Sequence, residues 1–99
     1  MRPEVKTYSS AGEQAPIPVD TSASDFKVGL QVVVTGTSSS DVEYTMSPDL
    51  TSAAWFKHDT LTSVTANTSG NIVIPITAVR LNVTAYTDGE VEFTVLQGG

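Results

Sequence analysis

The sequence predicts an all-β fold: a small antiparallel β-sandwich, jelly-roll or immunoglobulin-like, with an extended N-terminal arm. Three observations carry that prediction. Apolar and polar residues alternate in at least six short runs. Turn-forming residues interrupt these runs at intervals of about 8 to 12 residues, the spacing of sandwich strands. No window shows the 3.6-residue period of an amphipathic helix. Serine and threonine make up about a quarter of the 99 residues, which suits pleated half-exposed surfaces and turns.

Residues 1–25 form the expected arm. They are rich in Pro, Ser, Ala and Gly around Pro16-Ile17-Pro18-Val19 and keep no regular period. The proline pair disfavours helix and fixes an extended backbone, so this stretch is expected to lie over a surface, its own or a neighbour's. Residues 26–99 form the sandwich domain.

From Phe26 the pattern changes. Phe26, Val28, Leu30, Val32 and Val34 alternate with polar residues, and only Val33 breaks the polar face. After Gly36-Thr37-Ser38-Ser39-Ser40, Val42, Tyr44 and Met46 alternate again. A five-residue hairpin loop pairing Val34 with Val42, Val32 with Tyr44 and Leu30 with Met46 puts all six on one face. Ser47-Pro48-Asp49-Leu50 opens a loop excursion that carries Trp55, Phe56 and His58. A strand over 61–66, a turn at Asn67-Thr68-Ser69-Gly70 and a strand over 71–74 follow, ended by Pro75.

The last third alternates most clearly, with Val79, Leu81, Val83 and Ala85, then Val91, Phe93 and Val95. A two-residue Asp88-Gly89 loop would drive these rows to opposite faces. The loop Thr87-Asp88-Gly89 instead pairs Ala85 with Val91, Val83 with Phe93 and Leu81 with Val95, and places Gly89 where a left-handed residue is needed.

Composition narrows the function classes. The chain has no cysteine, which excludes disulfides, thiol nucleophiles and Cys-rich metal sites. Its net charge of −6 and five scattered cations disfavour a groove that follows nucleic-acid phosphates. The first residues lack the apolar segment of a secretory signal, and no apolar run approaches the roughly 20 residues that span a bilayer. Neither nucleic acid nor membrane is an expected partner, and synthesis in the cytoplasm is expected.

No nucleophile motif or phosphate-binding glycine loop occurs, and His58 is the lone histidine, without the partners that catalysis or metal binding requires. No enzymatic activity and no cofactor are expected. Glu90 and Glu92 share an outward face and are read as solvated. The sequons at Asn67 and Asn82 are discounted because serine and threonine are so common. Val33, Leu96 and the doubly apolar run Ile72-Val73-Ile74-Pro75-Ile76 do resist a solvent-facing reading. Either the N-terminal arm covers them within one subunit, or a partner does.

From Tyr44 to Gln97 the order of features resembles small virion structural proteins of tailed bacteriophages. It runs from Val42-Glu43-Tyr44-Thr45-Met46 through the loop with Trp55 and His58 to the run from Asn71 to Thr84, and ends in a glycine-turned hairpin closing on Val95-Leu96-Gln97. Pro75 followed by Ala78-Val79-Arg80-Leu81 is its most specific part; the first 25 residues match no motif. In size and organisation the chain is most similar to capsid decoration (cement) proteins. That resemblance implies a β-sandwich or jelly roll, binding to the major capsid protein on the virion exterior, a homo-oligomer (dimer or trimer), and no catalysis. Expected contact residues are Pro16, Ile17 and Pro18 on the arm, Val33, Trp55, Phe56, Val73, Ile76 and Leu96 as apolar contacts, and Arg80 as an outward cation. A different reading makes the chain a receptor- or carbohydrate-binding module of a phage tail or fibre, with Trp55, Tyr86 and His58 as a sugar-stacking row.

Overall fold

A computed structural model describes residues 4–19 and 27–98. Phe26, the expected start of the first long strand, and residues 1–3 and 20–25 of the expected arm lie outside the described residues. The elements are β1 (Glu4–Tyr8), β2 (Gly12–Glu13), β3 (Ile17–Pro18), β4 (Lys27–Thr45), β5 (Phe56–Lys57), β6 (Thr68–Ile72) and β7 (Ala78–Gly98). They form one antiparallel sheet of seven strands, with no helix among the described residues.

The spine is a ladder between β4, 19 residues long, and β7, 21 residues long. It runs from Lys27 opposite Gly98 to Thr45 opposite Ala78. Neither expected hairpin forms. Gly36-Thr37-Ser38-Ser39-Ser40 continues β4 instead of looping, so Val34 faces Val91 and Val42 faces Leu81. Residues 87–89 likewise stay within β7, and Val95 faces Leu30 rather than Leu81. Much of the expected inward rows is nonetheless buried, namely Leu30, Val32, Val42, Leu81, Val83, Phe93 and Val95, whereas Val34 and Tyr44 are half-buried and Ala85 is exposed. Alternation fixes which residues face inward, and the local hairpins and the long ladder satisfy it equally.

The ladder must bend. At about 3.3 Å per residue a straight β4 would measure roughly 63 Å, whereas the longest dimension of the molecule is 39 Å. The chain path requires the same. Pro18 pairs with Ala78 at one end of β7 and Lys27 with Gly98 at the other, yet the nine steps between them reach at most about 30 Å. Gly36 faces Gly89 within the ladder, with φ of 104° and 82°, and this pair of left-handed glycines, next to two register shifts, is the corner that the strand irregularity points to. Gly89 thus takes the left-handed backbone that the turn reading requires, but at a corner between two ribbon halves.

Beyond this corner the register shifts twice, leaving Thr87 and Thr84 of β7 without opposite residues. One such bulge would turn the inward row outward; two restore it. Both extra residues are on β7, so between them its inward row passes to Tyr86, and Ala85, expected inward, is exposed. The row of β4 runs on without interruption through Ser38, Ser40 and Val42, all three buried.

Both ribbon halves share a single core. Its largest fully buried side chains are Phe93, Leu61 and Ile76, the last two coming from segments between strands. The region expected as strand, turn and strand over 61–74 is arranged differently. Val64 makes a lone bridge to Ser40, and the expected turn belongs to β6, which pairs with residues 28–32 of β4. The Asn67 side chain ends that pairing by accepting from the Val34 N–H at 2.9 Å. Met46, expected inward, lies one residue past the end of β4 and is 53% exposed.

The described N-terminal residues are extended, as their prolines require, and run along the outer edge of β7. β1 pairs with residues 91–95, β2 with 82–83 and β3 with 78–79. We call residues 4–19 the strap. Only Ile17 of the strap is fully buried, with Tyr8 and Val19 packed partly against the core. Burial holds the Tyr8 phenol above its ordinary value. The docked strap therefore carries no ionisation penalty below about pH 10, the ordinary tyrosine value. Above it, a released strap gains by ionising and docking weakens until the raised docked value is passed. Amide hydrogen exchange in β1 is expected to accelerate there beyond the intrinsic pH trend, and Y8F should abolish the excess.

Candidate functional site

An open cleft of about 440 Å³ lies between the end of β4 and β6, lined by Tyr44, His58, Asp59, Asn71, Val73 and Ile74 among others. The backbone places His58 there by donating from its N–H to the Val42 carbonyl at 2.8 Å. Its ring is then fixed on both sides. Nε2 lies 2.8 Å from the Asn71 carbonyl, while Nδ1 faces the backbone N–H groups of Thr60 and Leu61 at 3.1 and 3.2 Å. Two donors aimed at Nδ1 and a carbonyl at Nε2 suit a ring that accepts at Nδ1 and donates from Nε2. Gly70 permits the approach, since a Cβ there would sit 3.1 Å from Leu61 Cδ1 and 3.4 Å from His58 Cε1. His58 thus staples the loop to β6, and neither ring nitrogen is free for a metal or a proton transfer. No group of three or more metal-ligating side chains occurs among the described residues.

A second cluster is ionic. Arg80 on β7 donates from Nε to Glu43 on β4 and from Nη2 to Glu13 on β2, both at 2.7 Å. Its guanidinium also stacks 4.3 Å from the centre of the Trp55 ring. The Arg80 side chain is only 15% exposed and that of Glu43 9%, so this pair sits largely out of water. Beside it, buried Asp41 accepts from the Ser63 N–H at 2.8 Å and meets Lys57 at 3.5 Å. The sequence presented Arg80 as an outward cation and Trp55 as a contact residue. The structure spends both inside the chain, joining the strap, the sheet and the 47–57 loop. At the start of that loop Asp49 accepts from the Thr51 hydroxyl and N–H and from Ser52, and these bonds hold its carboxyl below the ordinary value.

The third feature is apolar and faces water. Met46, Phe56, Val73 and Ile74 are 43–62% exposed, and each lies near Tyr44 in space or along the chain. The Phe56 ring lies 6.0 Å from that of Tyr44, Val73 and Ile74 line the same cleft, and Met46 is two residues along the chain. Of the expected contact residues, Phe56 and Val73 belong to this group. Leu96 is also exposed, on another part of the sheet opposite Gly29, and Val33 is half-buried. Pro16 and Pro18 are exposed, but Ile17 between them is 5% exposed, and Ile76 is 1% exposed. Both are core residues. Met46 and Ile74 were missed because the alternation that carries them continues past the ends of their strands.

The proposed sugar-stacking row is not assembled. Trp55 lies beneath Arg80, His58 is held by backbone groups, and Tyr86 sits at the ribbon corner with its hydroxyl donating to the Gly89 carbonyl at 2.8 Å. Comparison of the chain with protein-family models, with curated proteins and with solved structures gives no match.

Proposed function

We propose that the protein is a non-enzymatic virion protein of a tailed bacteriophage: a capsid decoration (cement) protein, made in the host cytoplasm, that binds the outer surface of the major capsid protein shell and stabilises it. In this reading the bent sheet closes as a small β-sandwich, jelly-roll or immunoglobulin-like, and copies associate on the capsid as homo-oligomers. The supporting structural observation is the exposed apolar group of Met46, Phe56, Val73 and Ile74. These side chains remain in water although the chain has a closed core of its own, which is the mark of a docking surface. The resemblance of residues 44–97 to phage virion proteins supplies the partner. A protein that binds the assembled shell and not dispersed subunits stabilises the shell by mass action, and many copies make modest contacts sufficient.

Co-sedimentation of the purified protein with expanded capsids that lack it tests the proposal. Saturable binding is expected, and no binding at saturating concentration overturns it. The double variant F56S/V73S, altered only at exposed positions, is expected to keep its fold and to bind about tenfold or more weakly, because two apolar contacts at an interface centre are each worth more than about 1 kcal/mol. Unchanged affinity would remove this face from the contact.

A further inference from the structure

We infer that the strap is exchangeable: residues 4–19 of one copy dock on the β7 edge of a second copy, and two copies swap straps reciprocally into a closed dimer. This goes beyond the capsid reading and does not depend on it.

The way the strap is attached carries the inference. It pairs in three separate strand pieces of five, two and two residues, supplemented outside them by the Gln14 N–H donating to the Leu81 carbonyl and the Val19 N–H to the Thr77 carbonyl. Beyond these backbone bonds, its anchors are Ile17 in the core, Tyr8 and Val19 partly against it, and Glu13 on Arg80. Every other core residue belongs to the body, between Val28 and Val95. The body therefore keeps its core when the strap leaves, and β7 keeps its edge as a row of unpaired backbone groups over residues 78–95. Such an edge is a template for another strand.

The strand that fits it is on the page. A second copy offers the same Ile17, the same Tyr8 and the same Glu13, whose charge complements Arg80, so exchanged and unexchanged docking make identical contacts. Reciprocal exchange satisfies both edges at once and closes the assembly, which a one-way transfer does not. Intramolecular docking enjoys an effective concentration of order a millimolar. Exchange therefore competes when copies are brought to comparable density, in concentrated solution or side by side on a surface.

The absence of cysteine makes a direct test possible. Val5 and Thr94 lie opposite each other across β1 and β7. The double variant V5C/T94C is unfolded, refolded at concentrations from about micromolar to about millimolar, oxidised and run on a non-reducing denaturing gel. An intrachain bridge gives a monomer and exchange gives a covalent dimer. The dimer fraction is expected to rise about tenfold per tenfold increase in concentration before it saturates, as mass action requires. Monomer at every concentration overturns the inference. So does as much dimer from V5C or T94C alone, which cannot form the cross-strand bridge. The unsubstituted chain, refolded in the same series and sized by light scattering, is expected to give a dimer that persists after dilution; a monomer throughout also overturns the inference. No capsid enters either assay, so failure here leaves the capsid proposal standing, and failure of capsid binding leaves this one standing.

Discussion

Replacing Gly89 with alanine is expected to destabilise the protein by about 4 kcal/mol or more, placing it among the most damaging single substitutions. Two costs combine at this position. The left-handed backbone, φ of 82°, is strained by about 1–2 kcal/mol for any residue with a Cβ. The Cβ would also overlap the Thr35 carbonyl oxygen on the facing strand, and that oxygen belongs to backbone that cannot rotate away. Relief requires the two strands to part at the corner, which opens the bend that lets one core serve both ribbon halves. G36A carries a related penalty, because its Cβ would lie 2.6 Å from the Asp88 carbonyl oxygen. Gly12 separates the two costs: its φ is also positive, at 121°, but nothing lies within 4 Å of an added Cβ. G12A should therefore lose only the backbone share, about 1–3 kcal/mol. Urea denaturation of the three variants checks this ordering. A G89A protein no less stable than G12A would show that the corner yields freely.

Removing Arg80 is the second large effect. The Glu43 carboxylate is 9% exposed beside Arg80, and R80A takes away its charged partner, with Asn82 donating to it from 3.4 Å. Stranding a buried charge in this way costs about 3–5 kcal/mol, and the lost stacking on Trp55 adds about 0.5–1 kcal/mol. The loss belongs mostly to the orphaned carboxylate, so E43Q should offset part of it. The double variant is expected to be more stable than the summed single losses by about 1–2 kcal/mol, the coupling typical of residues in direct contact. Glu13 is different. Its side chain is 59% exposed, so water screens the pair, and E13Q should cost no more than about 1 kcal/mol. A thermodynamic cycle in urea measures all of these. Strictly additive losses for R80A and E43Q would mean that water already reaches the pair.

Much of the core was legible in the sequence, and the partners were not. Leu81, Val83, Phe93 and Val95 are buried as their alternation requires, because facing direction is set by neighbours two residues apart. Which strand lies opposite is decided elsewhere. Two local hairpins and one long bent ladder bury the same rows, and the deciding features are facing glycines 53 positions apart, Gly36 and Gly89. Two bulges at Thr84 and Thr87 then rescue the parity, and neither residue type announces one. The candidate site divides in the same way. The exposure of Val73 and Phe56 could be read from a broken alternation. The fate of Arg80 could not, since its carboxylates stand 37 and 67 residues away in sequence. Ile17 and Ile76 sit beside prolines, where no period remains to say which way a side chain points.

The long ladder also governs how the chain reaches its fold. Its paired residues lie between 33 and 71 positions apart, so nearly all of its pairing is non-local, and loop closure must be completed before any rung rewards it. Chains of this kind fold in milliseconds to seconds, whereas a local hairpin closes in microseconds. The two hairpins that the alternation also permits bury the right rows and have a head start. They are the natural detours of this sequence, and they must come apart before β4 and β7 can meet along their full length.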